Sequence, residues 1–230
     1  MVRVTFIRPS NYSGSAYLTK WGFLPAPLGI LQLAGAVLTL KGSSVKVIDM
    51  EADKIATIDQ VVDETVKFNP DLVGITLHAT AAHNTAGEIA RRIKEQNPKT
   101  ILVAGGHHAT FLPYEMLRQG FDISVLGEGD NTIVDIARAA EGGDDFGKIP
   151  GIVYKKGDQF VRTRPRALIE DLDSLPLPAL DLVNKDRYFF KTFGDNDTVT
   201  CIETARGCPY ACDFCSVTPT WGNKWRNKSV

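Results

Sequence analysis

A chain of 230 residues, 43% of them hydrophobic, is long enough to bury a substantial core, so disorder is not the default. Its 26 basic and 27 acidic residues leave a formal charge of −1, which offers no global field to draw nucleic acid or an anionic membrane. The longest apolar run, Phe23 to Leu40, is broken by Pro25, Pro27, Gly29, Gln32 and Gly35 and falls short of the roughly 20 apolar residues a membrane span needs. The expected partner is therefore a small molecule.

The first residues, Met1 to Ile7, read as a strand rather than as a charged region leading into a secretory core, and a cytoplasmic location is expected. Short β-branched runs then alternate with helical patterns as far as about residue 143. The spacing predicts strands at Val2–Ile7, Val45–Asp49, Leu72–Thr76, Thr100–Ala104 and Ile123–Leu126. Helices fit Leu28–Leu40, Ile58–Phe68, Asn84–Gln96, Pro113–Gln119 and Asn131–Glu141, with stops at Gly42, Asn69-Pro70, Asn97-Pro98 and Gly142-Gly143. Such alternation predicts an α/β domain over 1–143, a doubly wound, five-stranded parallel sheet of Rossmann-like or flavodoxin-like form.

Ligands of these sheets bind beyond the carboxyl ends of the strands. The candidate binding residues are accordingly Pro9 and Ser10 after the first strand and Thr76, Leu77, His78 and Thr80 after the third. The fourth strand adds Gly105, Gly106, His108, Ala109 and Thr110, and the fifth Gly127, Glu128 and Gly129. Gly105 and Gly106 would let the backbone approach a ligand closely, and by themselves could serve a nucleotide, a flavin or nothing. No G-x-G-x-x-G follows the first strand, which lowers a dinucleotide reading.

Beyond Gly143, a hairpin (Gly151–Tyr154 and Gln159–Arg162) and the Pro-bearing stretch Leu172–Pro178 predict a linker over 144–195 that docks on the sheet domain. A last strand, Val199–Thr204, is expected to open a further unit over 196–230. All four cysteines fall between Cys201 and Cys215, which argues for metal rather than a disulfide framework. Cys208, Cys212 and Cys215, spaced C-x-x-x-C-x-x-C, would ligate three irons of a four-iron cluster and leave the fourth open. A zinc site with Cys201 as fourth ligand is the second reading.

The segment Arg206-Gly207-Cys208-Pro209-Tyr210-Ala211-Cys212-Asp213-Phe214-Cys215-Ser216 resembles the signature of radical S-adenosylmethionine (radical SAM) enzymes. Pro27-Leu28-Gly29, Val73-Gly74-Ile75-Thr76, Gly105-Gly106 with His108-Ala109-Thr110, Gly127-Glu128-Gly129-Asp130 and Asp171–Pro176 are similar to the vitamin B12-binding domain of the cobalamin-dependent branch. The resemblance implies a [4Fe–4S] cluster on Cys208, Cys212 and Cys215, with S-adenosylmethionine bound at the open iron near Phe214. It also implies cobalamin on the sheet loops and an external electron donor such as flavodoxin or ferredoxin. The commonest implied chemistry is methyl transfer to an unactivated centre through methylcobalamin. A radical cyclisation or rearrangement, or a corrinoid-binding module without catalysis of its own, are the alternatives. No catalytic side chain is singled out. The D-x-H-x-x-G motif occurs nowhere, so no histidine reaches cobalt through it. A (β/α)₈ barrel takes about 200 residues or more, and the expectation is that only its first strand and cluster loop are present.

Overall fold

The computed structural model describes residues 1–10, 22–55, 57–77, 80–192, 195–210 and 212–229, so the candidate His78 lies outside the described residues. Strands β1 (Arg3–Arg8), β3 (Ser44–Asp49), β4 (Leu72–Thr76), β5 (Ile101–Gly105) and β6 (Ile123–Val125) run parallel in the order β3-β1-β4-β5-β6. Chain direction across the sheet reverses between β1 and β4, the place where such sheets bind ligands. Both faces are covered, and the strands are accordingly apolar on both. Val4 and Phe6 of β1 point to one core, with α1 (Leu28–Leu38) and α6 (Asp130–Gly142). Ile7 points to the other, with α2 (Ile58–Phe68), α3 (His83–Gln96) and α5 (Pro113–Arg118).

Local chemistry sets the bounds of these elements. Helix α2 opens on a capping box, in which Thr57 accepts from the Gln60 N–H and Gln60 reaches back to the Thr57 N–H, and ends at Asn69 in the left-handed region. Helix α1 is apolar nearly all round because it is covered on more than its sheet side. The linker crosses it: the Gln32 amide donates to Pro176 O at 2.7 Å and the Ala179 N–H to Leu31 O at 2.9 Å.

The hairpin docks by strand pairing. β7 (Ile152–Lys156) joins β6 antiparallel and β8 (Gln159–Arg162) follows, extending the sheet to seven strands. The strand expected at Val199–Thr204 is not formed. Propensity alone does not hold a strand without a ladder along it, and Ile202 of this run is exposed. Pairing is found on either side of it. Strands β9 (Phe189–Thr192) and β10 (Asp195–Thr198) form a hairpin against β2 (Phe23–Leu24). Strand β11 (Ala205–Arg206) pairs with β12 (Arg226–Asn227). The stretch after β5, expected as a loop, folds into a short helix, α4 (His107–Phe111), capped by Gly106. No helix of the described residues is long and apolar enough to cross a membrane.

A cavity at the sheet edge walled by the cysteine segment

A cavity of about 310 Å³ opens at the carboxyl ends of β4, β5 and β6, between the sheet and helices α1 and α6. Five sequence candidates line it: Thr76, Gly105, Gly106, Gly127 and Gly129. Gly74, Val103, Val125, Leu33 and Ile133 give it an apolar interior that the strand-end rule does not reveal. A Cβ at Gly105 would meet no protein atom within 4 Å and would stand in open cavity space. Gly106 has φ +94°, and a Cβ there would lie 2.9 Å from the Leu77 backbone, so only glycine fits this turn.

The remaining wall comes from the far end of the chain, through Glu203, Arg206, Thr220 and Trp221. Trp221, on the short helix α7 (Val217–Trp221), donates its indole N–H to His107 Nε2 at 3.4 Å across the mouth. His107 is thus the cavity histidine among the described residues. The candidate His108, one residue on in α4, is turned beneath that helix with its side chain 2% exposed. Its Nδ1 lies 3.1 Å from Thr80 Oγ1, and its Nε2 has no hydrogen-bond partner among the described residues. Burial pushes its pKa below the ordinary imidazole value, against the pull of the Glu115 carboxylate.

Other candidates have structural duties. Leu77 and Ala109 are fully buried in the core, and the Leu77 N–H donates to Gly105 O at 2.8 Å. Thr110 accepts the Gly127 N–H at 3.1 Å and donates to Gly106 O at 2.9 Å, tying the two glycine loops together. Pro9 and Ser10 stand at the other end of the edge, where Ser10 Oγ donates to Glu51 at 2.9 Å.

Glu128, expected as a ligand-binding residue, is instead committed to an ion network. It and Asp130 are buried, and so are Arg206 and Arg226, which face each other across the β11–β12 ladder. Arg206 forms a two-pronged pair with Asp130 at 2.8 and 3.1 Å, and its Nε donates to Glu203 at 2.9 Å. Arg226 donates to Glu128 Oε1 at 2.8 Å, to Ile169 O at 2.6 Å and to Trp221 O at 2.7 Å. Glu128 Oε2 accepts the Ile169 N–H at 2.7 Å. Burial opposes the Arg206 charge, but the hydrogen bonds and charges of Asp130 and Glu203 override it and hold the guanidinium above its ordinary pKa. Sequence reading missed both arginines because each finds its acid 76 to 98 residues away.

Between the two arginines hangs the cysteine loop. At its base Gly207 takes φ +86°, and a Cβ there would fall 2.2 Å from Lys224 O. The Cys208 N–H donates to Gly222 O at 3.3 Å and the Cys215 N–H to Cys212 O at 3.0 Å. Every cysteine is a free thiol. Cys212 is exposed, Cys208 and Cys215 are half-buried, and Phe214 is 93% exposed. Three free thiols in eight residues are a donor set suited to an iron–sulfur cluster. Among the described residues, however, no three His, Cys, Asp or Glu side chains are gathered so as to hold a metal ion. The ligands share one loop without forming a closed set.

Comparison with known proteins places this geometry. The B12 binding domain model matches residues 14–137. An uncharacterized methyltransferase of Pyrococcus horikoshii is 34% identical over 206 residues, covering 89% of this chain and 43% of that protein. The anaerobic magnesium-protoporphyrin IX monomethyl ester cyclase of Cereibacter sphaeroides is 29% identical over 226 residues, covering 96% of this chain and 36% of that protein. The chain thus spans less than half the length of these relatives. Among solved structures, the radical S-adenosylmethionine methyltransferase TsrM of Kitasatospora setae, with cobalamin and a [4Fe-4S] cluster bound, superposes with a TM-score of 0.72 at 20% identity, over 99% of this chain and 43% of that one. The cobalamin-dependent S-adenosylmethionine radical enzyme OxsB superposes with a TM-score of 0.79 at 20% identity, over 100% of this chain and 30% of that one. The fold is therefore shared with these proteins, and with over half of its length matched by the family model the chain belongs to the B12-binding domain family.

Proposed function

We propose that this chain is the cofactor-holding part of a cobalamin-dependent radical SAM enzyme that methylates an unactivated centre of a small molecule. One observation carries the reading: the segment bearing Cys208, Cys212 and Cys215 also forms a wall of the cavity in a B12-binding sheet. The two cofactor stations are therefore neighbours by construction of the fold. The cavity is too small for a whole corrinoid, but its apolar interior and the space a Cβ at Gly105 would fill suit the nucleotide tail.

When bound, a [4Fe–4S] cluster with S-adenosylmethionine supplies one-electron reductive cleavage, and cobalamin supplies a methyl carrier. The chain's own residues bind and orient. Thr76, Gly105, Gly106, Gly127 and Gly129 would receive the corrinoid at the strand ends, and the apolar interior would exclude water from its tail. Cys208, Cys212 and Cys215 would hold the cluster, with the exposed Phe214 ring free to pack against the adenine of S-adenosylmethionine. We assign residues 1–143 to the cobalamin-binding unit, 144–195 to the hairpin and linker, and 196–230 to the start of the radical SAM unit. The reading further entails an external electron donor such as flavodoxin or ferredoxin and a cytoplasmic setting. Radical cyclisation is the second reading, favoured by the similarity to the Cereibacter cyclase over 96% of this chain.

The test is anaerobic reconstitution with iron, sulfide and hydroxocobalamin, then desalting and metal analysis. Wild type should retain cobalt and about four irons per chain, since three thiolates suit such a cluster. The Cys208/Cys212/Cys215→Ala variant should lose the iron and keep the cobalt. Gly105→Leu should do the reverse. Wild type without cobalt would sink the corrinoid assignment.

A further inference from the structure

Buried charge is a main attachment of the cysteine segment to the sheet domain. Of its large side chains, Tyr210, Phe214 and Trp225 are exposed at 73, 93 and 65%, while Trp221 is half-buried against the cavity. Lys224 and Ser229 tie it to Glu170 and Asp173 of the linker, and the pair of buried arginines at the base of the loop ties it to the acids beyond β6. Facing each other across β11 and β12, the arginines would repel without Glu128 and Asp130. Removing one partner of such a buried pair leaves an uncompensated charge, and the least costly relief is for the segment to lift off and rehydrate.

Two features give this attachment a role in ligand binding. Arg206 and Trp221 of the attached segment line the cavity, so a ligand filling it meets a complete wall only when the segment is docked. Arg226 and Glu128 do not line it, yet they hold that wall in place, because Arg226 also donates to the Trp221 carbonyl. We propose that Glu128 and Arg226 are positioning residues for the cavity, making its filling and the docking of the cysteine loop one coupled equilibrium. Ligand favours the docked loop, and by linkage the docked loop raises ligand affinity by the same factor. The inference rests on the corrinoid reading above for the identity of the ligand.

The coupling is read from thiol reactivity of the cofactor-free chain under anaerobic conditions, with iodoacetamide and peptide mass spectrometry to follow each cysteine. Saturating hydroxocobalamin should slow alkylation of the half-buried Cys208 and Cys215 about fivefold or more, while the exposed Cys212 serves as internal reference. Arg226→Met and Glu128→Gln should speed alkylation without ligand and weaken hydroxocobalamin binding. By reciprocity, the affinity they lose can approach but not exceed the wild-type protection factor. Arg226→Lys should recover part of both. Hydroxocobalamin bound by wild type without protection, or bound equally by the variants, overturns the coupling alone. Affinity losses far above the protection factor would mean that the variants damage the cavity itself, which also overturns it. Wild type that binds no hydroxocobalamin sinks the corrinoid reading and this inference with it. Should both variants fail to fold, the wild-type protection measurement decides.

Discussion

Two buried ion networks stand on the carboxyl edge of this sheet, and they are built differently. At the β1–β3 end, Arg8 pairs with Asp49 of the adjacent strand at 2.6 and 2.7 Å, donates to Pro25 O at 2.9 Å, and leaves Asp49 to accept the Tyr188 hydroxyl at 3.0 Å. Both charges belong to the sheet. Burial pushes the Asp49 carboxyl above its ordinary value despite the opposing pull of Arg8 and Tyr188, and it pushes the Tyr188 hydroxyl upward as well. At the β6 end the acids stand in the loop after β6 and at the start of α6, and the arginines on a segment 76 to 98 residues later. The charges of the first network lie on adjacent strands, whereas those of the second tie the sheet edge to a much later segment. Equal burial therefore carries unequal consequences: breaking the first strands a charge that cannot leave, and breaking the second releases a piece that can.

Arg8→Met should give the largest effect, a loss of about 3–5 kcal/mol of global stability, read as a lowered urea midpoint, because Asp49 stays buried without its partner. Asp130→Asn should act locally. Its urea midpoint should move by less than half as much, while Cys208 and Cys215 become markedly more reactive toward iodoacetamide. A midpoint shift as large as that of Arg8→Met would erase the distinction between the two networks. The smallest effect is expected for Arg187→Ala, which removes a solvent-exposed pair with Asp53 beside the first network and should cost under about 1 kcal/mol. A larger loss there would show that the linker, and not the sheet, carries that end of the edge.

Much of the sheet was legible because each strand is a short apolar, β-branched-rich run set between helical patterns. The bounds of β1, β3, β4, β5 and β6 fall within two residues of those expected. Gly105, Gly106, Gly127 and Gly129 were legible for a related reason, since glycines just beyond parallel strands leave room where a ligand comes close. The cysteine spacing is equally local. What failed was long-range or rotational. The burial of Glu128 depends on Arg226, 98 residues on, and no nearby pattern records that pairing. His107, not singled out from the sequence, lines the cavity while the candidate His108 is buried, because α4 begins at His107 and one residue of helix turns a side chain by about 100°. The run Val199–Thr204 has the composition of a strand, but it bonds to neighbouring backbone at its ends, Val199 N–H to Tyr188 O and Lys228 N–H to Thr204 O, without a ladder along it.

The facing arginines at the base of the cysteine loop also imply an order of assembly. A two-residue ladder with like charges opposed has little reason to close by itself. The acids that neutralise it precede Arg206 by 76 and 78 residues, so during synthesis they emerge before the loop does. The three thiols thus emerge only after the chain that supplies the buried counter-charges at the base of their loop.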